Sequence, residues 1–295
     1  LYDQCLLKEV VVDSKTGMTA KEQLDKIYAA VKDLLPRKDA SYAAVMKELE
    51  SQGVCQLDMN KISSEEEKYL DGYFRHSVLP LLSPQIIDKT HPFPFLENKK
   101  LYVGVRLHTK SGDMKLGIVP ADRGVERMVL LKKEEGIRFV LTEDLILHFI
   151  NQIFDEHKIM EKTIFRITRN ADIDVEDNMI DTDLDYRKAM EELLKKRRKL
   201  APVRLEVHRP IGPEMEGYLC EKLGLKKAQV FVERAPLDMS FVFPLGDRLT
   251  QKTQLFDKPL KPQKHPGLRD DLTMTEQIRK KDFLLQYPYQ EFKPI

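Results

Sequence analysis

Long apolar runs are missing from these 295 residues: none approaches the ~18 positions that a membrane-spanning helix needs, and the N-terminus lacks a basic-then-apolar leader pattern. A soluble, cytoplasmic protein is expected. Excess charge is missing too, since 49 basic residues nearly cancel 48 acidic ones. No global field marks a nucleic-acid or membrane-surface protein, and any anionic ligand must be held locally. Cysteine is scarce: Cys5, Cys55 and Cys220 lie far apart and form no C-x-x-C pair. That argues against a disulfide framework and a zinc site, and suits a reducing compartment. Internal repeats and low-complexity tracts are absent. What is there, 42% hydrophobic and 33% charged residues, can build a substantial core, and the length suggests two domains at ~150 residues each. Leu1-Tyr2-Asp3-Gln4 runs almost directly into the apolar segment Cys5 to Val12, and the chain stops soon after Phe283 to Tyr289, so both ends read as cuts in something longer.

Thr19-x-x-Glu22 is a capping box, which starts a helix near Ala20. Leu24, Ile27, Tyr28, Val31, Leu34 and Leu35 follow at helical spacing, and Tyr42, Val45, Met46 and Leu49 resume it after Pro36. The expectation is a helical hairpin or one long helix kinked at Pro36. Residues 54–61 turn polar, and Ser63/Ser64 with Glu65 to Glu67 start a new helix that carries Tyr69, Leu70, Tyr73, Phe74 and Val78 inward. The segments 101–105 and 116–119, separated by Ser111-Gly112-Asp113, predict a β-hairpin. Helix from 142 through 154, strand at 164–168, helix at 183–200, strand at 203–207, helix at 213–223 and strand at 229–232 follow. The class is α+β: an N-terminal helical part, then a mixed α/β domain. Pro259, Pro262 and Pro266 in the aperiodic stretch 247–272 signal a linker.

Pro80 to Asp88, followed by His91-Pro92-Phe93-Pro94-Phe95-Leu96, is similar to the pattern P-x-L-T-P-x-x-x-D-x-x-H-P-F-P-F-L of bacterial polyphosphate kinases. Gly117-Ile118-Val119-Pro120, Arg138-Phe139-Val140-x-x-Glu143-Asp144 and Phe165 to Asp172 continue the resemblance in the family's order. It runs from Gly17 to Asp282-Phe283-Leu284-Leu285-Gln286-Tyr287-Pro288-Tyr289, which resembles the family's D-x-L-L-H-H-P-Y segment. Ser83 departs from the usual Thr, Gln286 from a His, and Pro36 interrupts a helix that is uninterrupted in the family. The resemblance implies three parts: 1–57, the remainder of a helical N-terminal domain; 58–272, a middle "head" domain ending in the linker; and 273–295, the start of a first catalytic domain. It also implies an ATP-polyphosphate phosphotransferase that works through a phosphohistidine in a His-Ala-Lys context, with ATP and magnesium, in phospholipase-D-like domains. None of the seven histidines here precedes Ala-Lys, and after His108-x-Lys110 the expected Asp is Lys115. The family's adenine-contacting Asn would lie before Leu1. No catalytic, cofactor or metal residue is carried over, and this segment alone should be inactive and bind neither ATP nor magnesium. The implied partners are ATP and polyphosphate through the missing domains and a second copy through the head domain, with peripheral membrane association of the whole enzyme an option and nucleic acid excluded. The alternative is a stand-alone binding or oligomerisation module.

Lys195-Lys196-Arg197-Arg198-Lys199 is the one strong basic cluster, with Lys195, Lys196, Arg197 and Arg198 the candidate contacts. Polyphosphate contact competes there with complementation of a helix C-terminus and pairing to Glu191 and Glu192. Arg166 and Arg169 are candidate phosphate contacts as well, against ion pairing to Asp174, Glu176 or Asp177. His91 could be a phosphohistidine, but Pro92 and Pro94 argue that its segment seats Phe93 and Phe95 in a core. Asp172 to Asp185 lack the central Gly and closing Glu of a calcium loop and read as a solvated acidic turn.

Overall fold

The computed structural model describes residue 5 and residues 12–88, 92–108, 115–121, 124–131, 136–170, 201–258 and 260–291. The chain divides into two compact units, Leu1–Phe241 and Val242–Ile295. The first begins with α1 (Ala20–Ser51). Its capping box forms as the sequence requires: the Glu22 N–H donates to the Thr19 hydroxyl at 3.2 Å, and the Thr19 N–H donates to the Glu22 carboxylate at 2.8 Å. The hairpin alternative is corrected, because α1 continues through Pro36 as one helix. Pro36 is solvent-exposed, so the carbonyl one turn earlier that loses its N–H partner can turn to water. The inward set is corrected as well. Leu35 is buried and Leu24, Tyr28, Tyr42 and Met46 are half-buried, while Ile27, Leu34 and Val45 form an adjacent exposed stripe. One helix lying on one surface buries a narrow face.

β1 (Val54–Gln56) follows, and then α2 (Ser64–Tyr73) starts from a Ser63/Glu66 capping box and runs into a π-helical turn, Phe74–Val78. Leu70, Phe74 and Val78 are fully buried as expected, but Tyr69 is exposed. The remaining elements are β2 (Gln85–Ile87), β3 (Leu101–Leu107), β4 (Lys115–Pro120), β5 (Met128–Leu131), β6 (Ile137–Leu141), α3 (Thr142–His148), β7 (Ile159–Arg169), β8 (Pro202–His208), α4 (Pro213–Leu223) and β9 (Val230–Glu233). They form two sheets, one of order β1-β6-β5 and one of order β2-β4-β3-β7-β8-β9. The expected hairpin is the antiparallel β3/β4 pair, with Val103 opposite Val119. β8-α4-β9 is a parallel βαβ unit, and β1 pairs parallel with β6.

The large sheet is covered on both faces, which explains the nearly unbroken apolar runs of its central strands. Val103, Val105, Val119 and Ile164 pack with Leu70, Phe74, Ile146 and Phe149 in one core. Tyr102, Leu116, Phe165, Ile167 and Leu205 pack with Met215 and Leu219 of α4 in the other. Phe93 and Leu96 join this second core, but Phe95 is 52% exposed, which corrects its expected burial. Residues 92–96 run without regular structure, and the Phe95 ring lies under the Arg169 guanidinium instead.

In the second unit, α5 (Val242–Arg248) precedes the proline-bearing stretch, in which one 3-10 turn, Thr253–Leu255, is the helical structure among the described residues up to 272. α6 (Met274–Ile278) begins at a Thr273/Glu276 capping box. Among the described residues, no helix is long and apolar enough to cross a membrane. Lys195 to Arg198 with their expected helix, the Asp172 to Asp185 turn, the Ser111 to Asp113 turn and His91 lie outside the described residues.

Candidate functional site

Arg166 stands on β7 and forms a two-pronged ion pair across the strands, its Nε and Nη2 donating to the Glu206 carboxylate at 2.7 and 2.9 Å. Arg204 reaches both Glu206, at 3.1 Å, and Glu233, at 3.3 Å. Lys38 of α1 completes the row by pairing with Glu233. Five charges thus alternate in sign from β7 to the helix lying over the sheet edge. Burial would raise Glu206, but the bond and charge of Arg166 hold it below the usual carboxylate range. Burial pushes Glu233 up, against the pull of Lys38. The carboxylates are 2% and 1% exposed; each has two cations, so stranding one of these buried anions, at a cost of about 3–5 kcal/mol, takes the loss of both its partners.

The same elements fix α1 on β9. Tyr28 meets Phe231 edge-on at 5.8 Å, and the Lys32 amine and Arg204 guanidinium lie over that ring at 5.4 and 4.4 Å. Asp39 accepts from the backbone N–H groups of Arg234 and Ala235, the latter at 2.9 Å. These bonds occupy donors beyond the end of an edge strand that would otherwise be open to pairing. Arg169, the other arginine singled out by sequence, donates from Nε to the Leu96 carbonyl at 2.8 Å, and its N–H donates to the Asn98 side chain at 2.9 Å. Both β7 arginines are therefore engaged within the fold, and they are not brought together with each other.

A cavity of about 500 Å³ lies in the first unit, walled by Tyr42 and Met46 of α1, Gln56 at the end of β1 and residues 57–60 after it, Glu143, Asp144, Leu147 and His148 of α3, residues 162–164 of β7, His208 at the end of β8 and residues 209 and 210 after it, and residues 234, 236 and 237 after β9. Three carboxylates, Asp58, Glu143 and Asp144, line it together with the cations Lys162, Arg209 and Arg234. Glu143 is 3% exposed; its Oε1 accepts from Arg127 at 2.7 Å, while its Oε2 is buried without a hydrogen-bond partner. Burial lifts the Glu143 carboxyl to about 8 and that of Asp144 to about 6, against the nearby cations Arg127 and Arg209. Burial and the charge of Arg209 hold the His208 imidazole below its ordinary range, and its Nδ1 is also without a partner. Among the described residues, no three of His, Cys, Asp and Glu converge as metal ligands.

In the sequence Glu143-Asp144 stand out only as carriers of the resemblance, and no motif marks Arg204, Glu206, Glu233, Lys38, Arg209 or Arg234. The alternation of Arg204 and Glu206 on one strand face was the one legible signal; the pairing to Lys38 crosses 195 residues.

The family profile described as "Polyphosphate kinase middle domain" matches residues 65–245. The polyphosphate kinases of Halalkalibacterium halodurans and Bacillus anthracis are each 32% identical, over 289 and 292 residues respectively, and each match covers 96% of this chain and 41% of the relative. The crystal structure of the polyphosphate kinase from Porphyromonas gingivalis matches the fold with a TM-score of 0.64 at 18% identity, covering 92% of this chain and 40% of that one. The chain thus spans about two-fifths of the length of these relatives.

Proposed function

The chain belongs to the polyphosphate kinase family, and on that premise we propose that it is the scaffold and assembly portion of an enzyme that reversibly transfers the terminal phosphoryl group of ATP to polyphosphate. In the whole enzyme, a histidine outside these residues attacks the γ-phosphorus, the bond to the ADP oxygen breaks, and a P–N bond forms. The terminal oxygen of polyphosphate then takes the phosphoryl group, lengthening the chain by one unit and freeing the histidine. ATP and magnesium are held by that remainder; the residues described here are assigned no part in holding them.

The observation that carries the scaffold reading is the charge row Arg166-Glu206-Arg204-Glu233-Lys38. It commits the best phosphate-binding candidate on the central strands to holding helix and sheet together. Contact with polyphosphate is left to Lys195, Lys196, Arg197 and Arg198, and self-association to the head domain. The enzyme works in the cytoplasm.

The test incubates the purified 295-residue chain with ATP, magnesium and labelled polyphosphate, beside a full-length relative. No turnover by the chain is expected, and turnover would overturn the assignment. In the same preparation, reversing the four charges at 195–198 should weaken polyphosphate binding and flatten its salt dependence.

A further inference from the structure

β9 stands last in the six-stranded sheet, with β8 as its strand neighbour on one side. The Glu233 carbonyl accepts from the Arg209 N–H at 2.8 Å, on the β8 side. Backbone groups alternate sides along a strand, so Phe231 and Glu233 turn theirs to β8, and the N–H and C=O of Val232 point away from it. No other hydrogen bond to those two groups is found among the described residues, and Val232 is 39% exposed. Asp39 fills the two N–H groups beyond, those of Arg234 and Ala235. One open rung is left ahead of them, and an open rung is what an added strand pairs with.

α1 forms a groove with this edge. Tyr28 and Lys32 lie at Phe231, Lys38 at Glu233 and Asp39 at Arg234, so helix and strand run side by side in the same direction. The groove, of about 960 Å³, is walled by Pro36, Ala40 and Ala43 of the helix and by Val230, Val232 and Pro210 of the sheet. Short side chains on the helix leave space for those of a strand. From Lys32 to Ala43 the helix rises about 16 Å, and a strand of five residues covers about 17 Å. Two polar groups of the lining are already bonded, Tyr42 to Gln56 and Asp39 to the backbone past β9. The two cations of the lining, Lys32 and Arg234, are exposed and have no acid partner among the described residues.

We propose that the β9 edge takes up an extended acidic peptide of another protein as an added strand. The peptide backbone bonds to Val232, its acidic side chains meet Lys32 and Arg234, and small or β-branched side chains between them lie against Pro36, Ala40 and Ala43. A second copy of this chain is the wrong partner. Two β9 edges paired about Val232 would gather both copies' Lys32 and Arg234 along one seam with no free acid between them, because Glu233 is turned inward to Lys38 and Arg204. A peptide carrying acids brings the missing charge, and its affinity should fall as salt screens those exposed cations.

The experiment is calorimetric titration of the 295-residue chain, at neutral pH and low salt, with the end-blocked peptide Asp-Val-Thr-Val-Asp. It should bind at one site, and Lys-Val-Thr-Val-Lys at least tenfold more weakly. Lys32→Glu combined with Arg234→Glu should weaken the acidic peptide at least tenfold, and so should Ala40→Trp, which fills the groove. Ala40 is solvent-exposed, so Ala40→Trp should keep the unfolding midpoint of the parent chain and separate a blocked groove from a lost fold. N-methylation of the peptide at its second and fourth residues, or at its first, third and fifth, removes the N–H groups of one side or of the other. One set should weaken binding at least tenfold and the other leave it within twofold, since a strand presents alternate N–H groups to its neighbour. The Val232 amide should gain protection from hydrogen exchange when the peptide is bound. The proposal falls if the acidic peptide gives no saturable binding at low-millimolar concentration, if the two methylation sets act alike, or if Val232 exchanges as fast with peptide as without. It falls equally if the chain dimerises under these conditions and Ala40→Trp abolishes the dimer, which would give the edge to a second copy.

Discussion

Arg166 shows how a side chain's role is decided by what faces it. Read along the chain, its natural partners were acids a few positions downstream; in the fold it is bound by Glu206 from the neighbouring strand, in register opposite it. Arg166→Ala should therefore lower the unfolding free energy in urea titration, by less than the ~3–5 kcal/mol of a fully stranded buried charge because Arg204 still pairs with Glu206, and leave polyphosphate binding by any folded fraction unchanged. Glu143 supports a second prediction. Its carboxyl is raised from 4.5 to about 8, chiefly by burial, with Arg127 opposing and Asp144 and Asp238 reinforcing. Between those two values the folded chain binds a proton that the unfolded chain has released. This contribution to stability is complete at low pH and is lost as pH rises through the folded value. The unfolding free energy should fall by a few kcal/mol more, between about pH 5 and pH 8, in the parent chain than in Glu143→Gln.

At the level of elements, caps and turns were legible because they act over three or four residues. Thr19 and Glu22, and likewise Ser63 and Glu66, meet within one helical turn whatever the rest of the chain does. Thr19→Ala should cost ~1 kcal/mol and leave the start of α1 frayed in amide exchange. The short strands β1, β2, β5 and β6 were not legible, since three to five residues cannot display an alternation that stands out from a loop. What holds β1 beside β6 is a backbone approach. The Ile137 N–H donates to the Gly53 carbonyl at 2.8 Å, and Gly136, at φ +85°, has no room for a side chain, because a Cβ would stand 2.5 Å from that same oxygen. Gly136→Ala should cost at least ~1–3 kcal/mol from the dihedral alone, detectable as a lowered unfolding midpoint.

In the whole molecule, the charge row and the aromatic contacts on Phe231 make α1 part of the first compact unit, although it precedes every strand in the sequence. Lys38→Ala combined with Asp39→Ala should release α1 to limited proteolysis while the two cores stay protected, because neither residue belongs to them. Composition, caps and motif order by themselves determined the family, the α+β class and most long elements, since each depends on local chemistry or on the order of segments. The tertiary structure alone decided the partners: which acid meets Arg166, that Phe95 stacks under Arg169 rather than entering the core, and that Glu143, Arg209 and Arg234 share a cavity. Ion pairing, stacking and burial depend on distances between atoms far apart in the chain, and sequence spacing carries no information about those until the sheet order is fixed.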